Sequence, residues 1–329
     1  MKPTRWLPAA LLLLLAAVFA ASLLIGAVWL SPGQILRESF ASPPQLAGMI
    51  VLDLRLPRAV LACLAGGALG LSGAVLQGLT RNPLAEPGLL GVTAGASLGA
   101  VIAIYFGMSA AFAYMSPLMG LVGALGACAL TFALGRNGGT VTFILAGAAV
   151  AGLAGALITV ALNLSPSPYA SYEIMTWLMG SLADRSWKHV WLVLPFVIVG
   201  CGVLLSTGRS LDALSLGEIQ AQSLGINLNR LRLLALLGTA FAVGASTSVT
   251  GAIGFVGLIS PHLVRPLVDS RPREILLPAA ILGAVLLLTA DIATRVIHIG
   301  PEIKLGVLTS LIGTPFFFWL VVRLRKNAP

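Results

Sequence analysis

Ionisable side chains that could take part in chemistry are scattered along this sequence, and none of them forms a catalytic or metal-binding group. The usual candidates are His189, His262, His298, Cys63, Cys128 and Cys201. No pair among them has the spacing of metal ligands, and the odd, dispersed cysteines do not make a disulfide framework. No stretch reads GxxxxGK followed by Ser or Thr, the pattern of a nucleotide-binding loop. We therefore assign no catalytic residue, no metal ligand and no cofactor to the chain, and predict that it is not an enzyme.

One charged pair has a spacing that predicts a contact. Asp291 and Arg295 lie four residues apart, which places them on the same face of a helix for an ion pair. A proton-coupled secondary transporter would need carboxylates near the middle of the membrane. Asp291 is close to the end of an apolar run, and no other run has an acid at its centre. The sequence therefore gives little support to an ion-coupled secondary transporter, which we keep only as an alternative function.

The elements that must position these residues are membrane helices. Hydrophobic residues make up 58% of the 329 residues and charged residues 9%, whereas a soluble domain has roughly 25% charged residues. The surface of so apolar a chain must face lipid, where the backbone N–H and C=O groups have to form their hydrogen bonds within helices. Glycines spaced by three or four residues, as in Gly66 and Gly70, favour close helix packing. The net charge of +9 comes from dispersed basic residues, which is not the pattern of nucleic-acid binding.

The hydropathy pattern predicts about ten transmembrane helices in a single domain over residues 1–329. The first run is 24 residues long, too long for the roughly 7–15 residues of a signal-peptide core. The eighth is too short to cross alone, so it is either a broken helix or one buried among its neighbours. The predicted helices are 7–30, 59–79, 89–106, 111–134, 141–164, 190–205, 233–249, 252–264, 275–292 and 303–322.

The distribution of basic residues predicts the orientation. With the N-terminus in the cytoplasm, the inner loops carry 13 lysines and arginines and the outer loops carry 7. The positive-inside rule therefore favours a multi-pass protein with both termini in the cytoplasm. An inner segment, residues 207–232, has helical periodicity broken by Gly217 and Gly225. We interpret this segment as one or two short surface helices that dock a partner, the alternative being a solvated linker.

Four segments carry a resemblance to a known family. They are Leu52–Val92, which includes RNPLAEPGLLGV, and then Gly251–Arg265, Leu276–Val296 and Leu305–Val321. In this order they closely resemble the FecCD-type permeases, the membrane subunits of binding-protein-dependent ABC importers for ferric siderophores, haem and vitamin B12. The resemblance covers nearly the whole chain. It implies the all-α architecture of a type II ABC importer permease, with helices 2–5 and 7–10 related by an inverted pseudo-repeat.

The resemblance also implies partners and a location. Family members are homodimers in the bacterial inner membrane, with the transport pathway between the two copies. Two cytoplasmic ATPase subunits, which hold ATP and Mg, bind on one side, and a periplasmic substrate-binding protein docks on the other. We therefore expect a cytoplasmic coupling loop at residues 207–232, and no nucleic-acid partner.

Site residues follow by matching this sequence to the family motifs. Arg55, Arg58 and Arg295 are implied as exposed docking residues for the binding protein. The coupling to the ATPase is implied for Leu216, Gly217, Glu218, Ile219, Leu224 and Gly225. The cytoplasmic gate is implied for Asn82, Pro83, Leu84, Thr140 and Val141, and because Val141 stands where many relatives have a hydroxyl, we expect a more apolar gate.

The substrate is not resolved by these residues. Family frequency favours an iron chelate, either a ferric siderophore or haem, and vitamin B12 is the alternative within the family. A receptor or scaffold without transport activity would need a large soluble domain, which the hydropathy pattern does not contain.

Overall fold

The structure is a computed structural model that describes residues 6–26, 28–39, 45–112, 114–268, 271–297 and 302–326. Of residues 36 and 324–326 only the backbone is described. The two chain ends, predicted to be cytoplasmic, lie outside the described residues. Within those ranges the chain contains helices, turns and no β-strand. The helices are α1 (Leu7–Leu24), α2 (Pro32–Ser39), α3 (Leu46–Thr80), α4 (Val92–Tyr105), α5 (Met115–Gly135), α6 (Thr140–Asn163), α7 (Pro168–Leu178), α8 (Trp187–Ser206), α9 (Gly208–Leu214), α10 (Glu218–Ser223), α11 (Leu228–Thr250), α12 (Val256–Val264), α13 (Pro272–Val296) and α14 (Leu305–Lys326).

A few shorter turns complete the secondary structure. One α-helical turn covers Met108–Ala111, and 3-10 turns cover Pro87–Leu90 and Arg265–Leu267. Two of the long helices contain a π-helical turn, at Ile50–Arg55 in α3 and at Ala240–Gly244 in α11.

Eight helices in the described chain are long and apolar enough to cross a membrane. They are α1, α3, α5, α6, α8, α11, α13 and α14. Two shorter helices, α4 with 14 residues and α12 with 9 residues, fall at the third and eighth predicted positions. At 1.5 Å per residue neither spans the roughly 30 Å hydrocarbon layer by itself. All ten predicted segments are therefore helical, and the chain is a multi-pass membrane protein.

Most helix ends differ from the prediction by one to five residues, as at α11, which begins at Leu228 instead of residue 233. α1 ends at Leu24 instead of residue 30, α3 begins at Leu46 instead of residue 59, and α13 extends over Pro272–Val296 instead of 275–292. The sequence pattern excluded charged residues such as Arg55 from a membrane helix. In the folded chain Arg55 and Arg295 donate to the end of α1 and Arg58 donates to Asp291 of α13, so the helices continue through these arginines.

The centre of the bundle is the contact between α3 and α13, which glycines make possible. A Cβ atom added to Gly66 would lie 2.4 Å from the Gly283 carbonyl oxygen, and one added to Gly70 would lie 2.2 Å from the Ala279 oxygen. The helix backbones therefore touch where these glycines stand. This confirms the prediction that four-residue glycine spacing serves helix packing.

A break at Gly251 separates α11 from α12. Gly251 has a φ of +73°, a conformation that glycine adopts without strain. The next three residues have no regular structure, and α12 then begins at Val256 and is mostly buried. The eighth predicted segment is thus a short helix enclosed by its neighbours. The sequence of a long helix, a break and a short helix occurs twice, in α3–α4 and again in α11–α12.

Candidate functional site

Two polar clusters lie at opposite ends of α3. The arginine cluster, formed by Arg55, Arg58, Asp291, Arg295 and Glu302, lies near the N-terminal part of this helix. The Glu218 cluster, formed by Arg81, Thr140, Glu218 and Arg232, lies beyond its C-terminus. Because Arg58 and Arg81 are separated by 23 residues of nearly continuous helix, the clusters are about 35 Å apart. This distance is slightly more than the roughly 30 Å of a hydrocarbon layer, so the two clusters lie at opposite ends of the bundle.

Asp291 is the centre of the arginine cluster. Its carboxylate is fully buried and lies 2.8 Å from the Arg58 Nε and 2.7 Å from the Arg295 Nη2. The second contact confirms the ion pair predicted from the four-residue spacing. Arg58 also donates to the Glu302 carboxylate at 2.9 Å. The cluster therefore ties α3, α13 and the segment before α14 together.

Arg55 and Arg295 hold the end of α1. The last carbonyls of a helix have no partner within it and carry partial negative charge. Arg55 Nη1 donates to the carbonyl oxygens of Leu23 at 2.8 Å and Leu24 at 2.9 Å. Arg295 Nη1 donates to the Ser22 carbonyl at 3.0 Å, and its Nη2 donates to the Ser22 hydroxyl at 2.6 Å. Both guanidinium groups thus act as caps for α1.

The expectation that Arg55, Arg58 and Arg295 are exposed is wrong. Arg55 is 7% exposed, and the side chains of Arg58 and Arg295 are 14% and 8% exposed. Each already donates to groups of its own chain, because the buried Asp291 and the open end of α1 offer acceptors there. The docking role that the resemblance implies for them stays a prediction, but exposure does not support it.

A cavity of about 510 Å³ opens beside the arginine cluster. Its charged lining consists of Arg55, Arg58, Arg185, Arg295, Asp184 and Glu302. Four arginines against these two acids and the buried Asp291 leave one excess positive charge beside the cavity, which favours an anionic group. In the sequence, Arg185 is one of the seven basic residues of the predicted outer loops.

Glu218, the first residue of α10, joins the predicted coupling loop to Thr140, a predicted gate residue. The Thr140 hydroxyl, at the start of α6, donates a short hydrogen bond to the Glu218 Oε1. The same oxygen lies 3.9 Å from the Arg232 Nη2 and 4.0 Å from the Arg81 Nη2. The Glu218 carboxylate therefore contacts Thr140 of one predicted gate segment. It also lies close to Arg81, which directly precedes Asn82 of the other predicted gate segment.

Arg232 is the buried member of this cluster. It is 5% exposed, its Nη1 donates to the Gly138 carbonyl at 2.7 Å, and its guanidinium lies 5.7 Å from the centre of the Phe143 ring. It therefore connects the N-terminal part of α11 to the beginning of α6. A cavity of about 650 Å³, lined by Glu218 and Arg232 among others, separates the coupling segment from the α5–α6 connection.

The coupling loop, residues 207–232, contains two short helices, where the sequence predicts one or two. α9 and α10 are joined through Gly217, with a φ of +119°, and α10 ends before Gly225, with a φ of +83°. Three large apolar side chains on this segment are exposed. They are Leu216 at 64%, Ile219 at 75% and Leu224 at 63%. An apolar surface beside exposed glutamines is suited to contact with another protein.

The predicted gate residues lie in two segments at this same end. The Asn82 Oδ1 accepts a hydrogen bond from the Leu84 amide at 2.9 Å, which holds the turn that contains Pro83. Val141 is 71% exposed and Thr140 is half-buried. The gating role of all five residues and the more apolar gate expected from Val141 stay predictions.

Sequence reasoning missed the roles of Arg81, Arg232 and Glu302. Arg232 carried a usable signal, since an arginine within the apolar run LRLLALL must find a buried partner. Arg81 and Glu302 lie in connections, and nothing local indicates that they contact residues more than 100 positions away. In the described residues no three His, Cys, Asp or Glu side chains are arranged to hold a metal ion.

Comparisons with known proteins agree with this architecture. The model of the FecCD transport family matches residues 13–323. The hemin transport system permease protein HmuU of Yersinia pestis is 39% identical over 283 residues, which are 84% of each chain. The vitamin B12 import system permease protein BtuC of Klebsiella pneumoniae is 37% identical over 329 residues, covering 98% of this chain and 95% of the relative.

A solved structure gives the same result for the fold. An inward-facing structure of an ABC transporter assigned to the metal-chelate type superposes with a TM-score of 0.84 at 33% identity. The match covers 96% of this chain and 98% of the other. The chain therefore belongs to the FecCD transport family, the membrane permeases of ABC importers.

Proposed function

We propose that this chain forms the translocation pathway of an ATP-driven importer for a metal chelate, either haem, a ferric siderophore or vitamin B12. Relatives named for hemin and for vitamin B12 match it at nearly equal identity. Their names support a large metal chelate as the substrate and do not distinguish between hemin and vitamin B12.

The observation that carries the energetic part of the proposal is the contact between Thr140 and Glu218. We propose that each of two ATPase subunits binds the exposed Leu216, Ile219 and Leu224 of one copy of the chain, and that its movement displaces α10. Glu218 would pass this displacement to Thr140 at the start of α6. Arg81 would pass it to the adjacent Asn82, so that both gate segments move together.

The remaining partners are also proposals. The count of basic residues supports placing the Glu218 cluster in the cytoplasm and the arginine cluster at the periplasmic face of a bacterial inner membrane. A periplasmic binding protein would deliver the chelate to that face. A second copy of the chain would complete the pathway, and an apolar groove of about 740 Å³ lined by small residues such as Gly254, Gly306 and Ser310 supplies a surface for it.

The test is reconstitution of the permease with its ATPase and binding protein in liposomes. Labelled haem, ferric siderophore and cobalamin are offered separately, with ATP or with a non-hydrolysable analogue inside. Uptake of one chelate that requires both hydrolysable ATP and the binding protein supports the proposal. Uptake by the permease alone under a proton or sodium gradient would instead indicate an ion-coupled secondary transporter.

A further inference from the structure

Arg185, in the connection between α7 and α8, differs from the other arginines of its end of the bundle. Arg55, Arg58 and Arg295 all donate to carbonyls or carboxylates of their own chain. The Arg185 Nε is buried without a hydrogen-bond partner, and no ion pair joins this guanidinium to an acid in the described part of the chain. An enclosed charged donor without an acceptor destabilises the state that contains it.

The backbone around Arg185 is held in place. Ser186 caps α8 through reciprocal contacts with His189, and the Trp187 indole donates to the Leu52 carbonyl at 2.9 Å. Asp184 has a φ of +57°, which is uncommon for a residue other than glycine. Strain of this kind is retained where the surrounding structure imposes it, and often where a side chain must be presented to a ligand. The positive end of the 20-residue α8 adds to the field at this point.

Two cavities of about 510 Å³ each meet at Ala183–Arg185. The first is the arginine-lined cavity described above. The second is lined by Thr176 and Lys304, together with the acids Glu173 and Asp184. The Thr176 Oγ1 is a second buried atom without a hydrogen-bond partner. Two buried polar atoms without hydrogen-bond partners, one of them the charged Arg185 donor, therefore border the second cavity. The acids of the first cavity are either paired, as Glu302 is with Arg58, or exposed, as Asp184 is.

We propose that Arg185 binds a carboxylate group at this end of the molecule. The planar guanidinium presents parallel N–H groups that match the two oxygens of a carboxylate, and burial strengthens such a contact. A carboxylate on a small chelate and an acidic side chain on a docked protein have the same chemistry. The proposal rests on the proposed function, because both sources belong to an importer.

The test uses the full complex of permease and ATPase in nanodiscs, with Arg185→Gln and Arg185→Lys variants. The control is Lys188→Gln, which removes the same charge from an exposed side chain that lines neither cavity. The first probe is the cognate binding protein, whose affinity is measured by biolayer interferometry. The second is citrate, compared with chloride at equal ionic strength, for its shift of the thermal unfolding midpoint.

If the carboxylate belongs to the docked protein, Arg185→Gln weakens its affinity by about tenfold or more while the control stays near wild type. If it belongs to a small molecule, the citrate shift disappears in Arg185→Gln and protein affinity is unchanged. In either case Arg185→Lys retains part of the binding, because lysine keeps the positive charge but lacks the parallel N–H groups of the guanidinium. Wild-type behaviour of Arg185→Gln in both assays, with the wild-type complex importing chelate, overturns this inference alone. A wild-type complex that fails to import any chelate overturns the proposed function instead.

Discussion

The Thr140 hydroxyl donates a hydrogen bond to the Glu218 carboxylate, and this contact joins the first residue of α6 to the first residue of α10. The two residues are 78 positions apart in the sequence. One belongs to a predicted gate and the other to the predicted coupling segment. A displacement of α10 must therefore either move the start of α6 or break this bond.

We expect Glu218→Gln to reduce transport per ATP hydrolysed while leaving the ATPase bound. The amide still accepts from Thr140 but loses its charge beside Arg81 and Arg232, which lie 4.0 and 3.9 Å away. Since Glu218 is partly exposed, each pair is worth about 1 kcal/mol or less. The measurement is chelate uptake divided by phosphate release in the same liposomes. Thr140→Val, which removes the hydrogen bond itself, should also lower this ratio, and a wild-type ratio in both variants would contradict the link.

Asp291→Asn should strongly destabilise the permease. The buried carboxylate neutralises both Arg58 and Arg295, and removing one partner of a buried ion pair typically costs about 3–5 kcal/mol. The midpoint of thermal unfolding in detergent is the measurement, and a fall of several degrees is expected. Asp184→Asn is the matched control, since Asp184 is an exposed acid near the same end and asparagine tolerates its positive φ. Equal midpoints for the two variants would mean that Asp291 does not organise the arginine cluster.

Neighbouring glycines in α3 should respond oppositely to alanine. A Cβ at Gly70 would approach the Ala279 carbonyl oxygen to 2.2 Å, so Gly70→Ala must push α3 and α13 apart. A Cβ at Gly67 meets its nearest neighbour, the Ala280 oxygen, at an ordinary 3.6 Å. Gly67→Ala should therefore be neutral or stabilise by up to about 1 kcal/mol through helix propensity. Unfolding midpoints and the yield of folded protein distinguish the two, and a tolerated Gly70→Ala would show that the helices are less closely packed.

The sequence predicted this fold where the information is local and missed it where partners are distant. Apolar runs specify the helices, and the four-residue spacing specifies the Asp291–Arg295 pair. The start of α3 was misplaced because Arg55 looks unsuited to a membrane helix until the carbonyls of α1, more than 30 residues away, are brought to it. The contact of Arg58 with Asp291 spans 233 positions, and only the packing of α3 on α13 creates it. Motif resemblance indicated that Glu218 matters, but not which side chain it contacts.

Changing Ile219 and Leu224 together to Asp should abolish binding of the ATPase without affecting insertion of the permease. These side chains are 75% and 63% exposed, so their replacement leaves no cavity in the chain itself. In a groove of the ATPase, apolar side chains of this size contribute roughly 1.5–3 kcal/mol each on burial. Losing both apolar contacts and placing two charges in the interface costs more free energy than an interface of moderate affinity provides. The measurement is copurification of the ATPase with the tagged permease in detergent, together with ATP-dependent uptake.

The matched control for this variant is Gln220→Asp with Gln222→Asp. Both glutamines are exposed on the same short helix, so the control adds the same two charges but removes no apolar side chain. We expect the control to keep most of the ATPase, because charges at the polar rim of an interface change association rates more than affinity. Equal loss in both variants would mean that negative charge alone prevents binding and that Ile219 and Leu224 are not anchors. Retention of stoichiometric ATPase and normal uptake by the Ile219 and Leu224 variant would mean that α10 is not the coupling element. The energy of ATP would then have to enter the permease elsewhere.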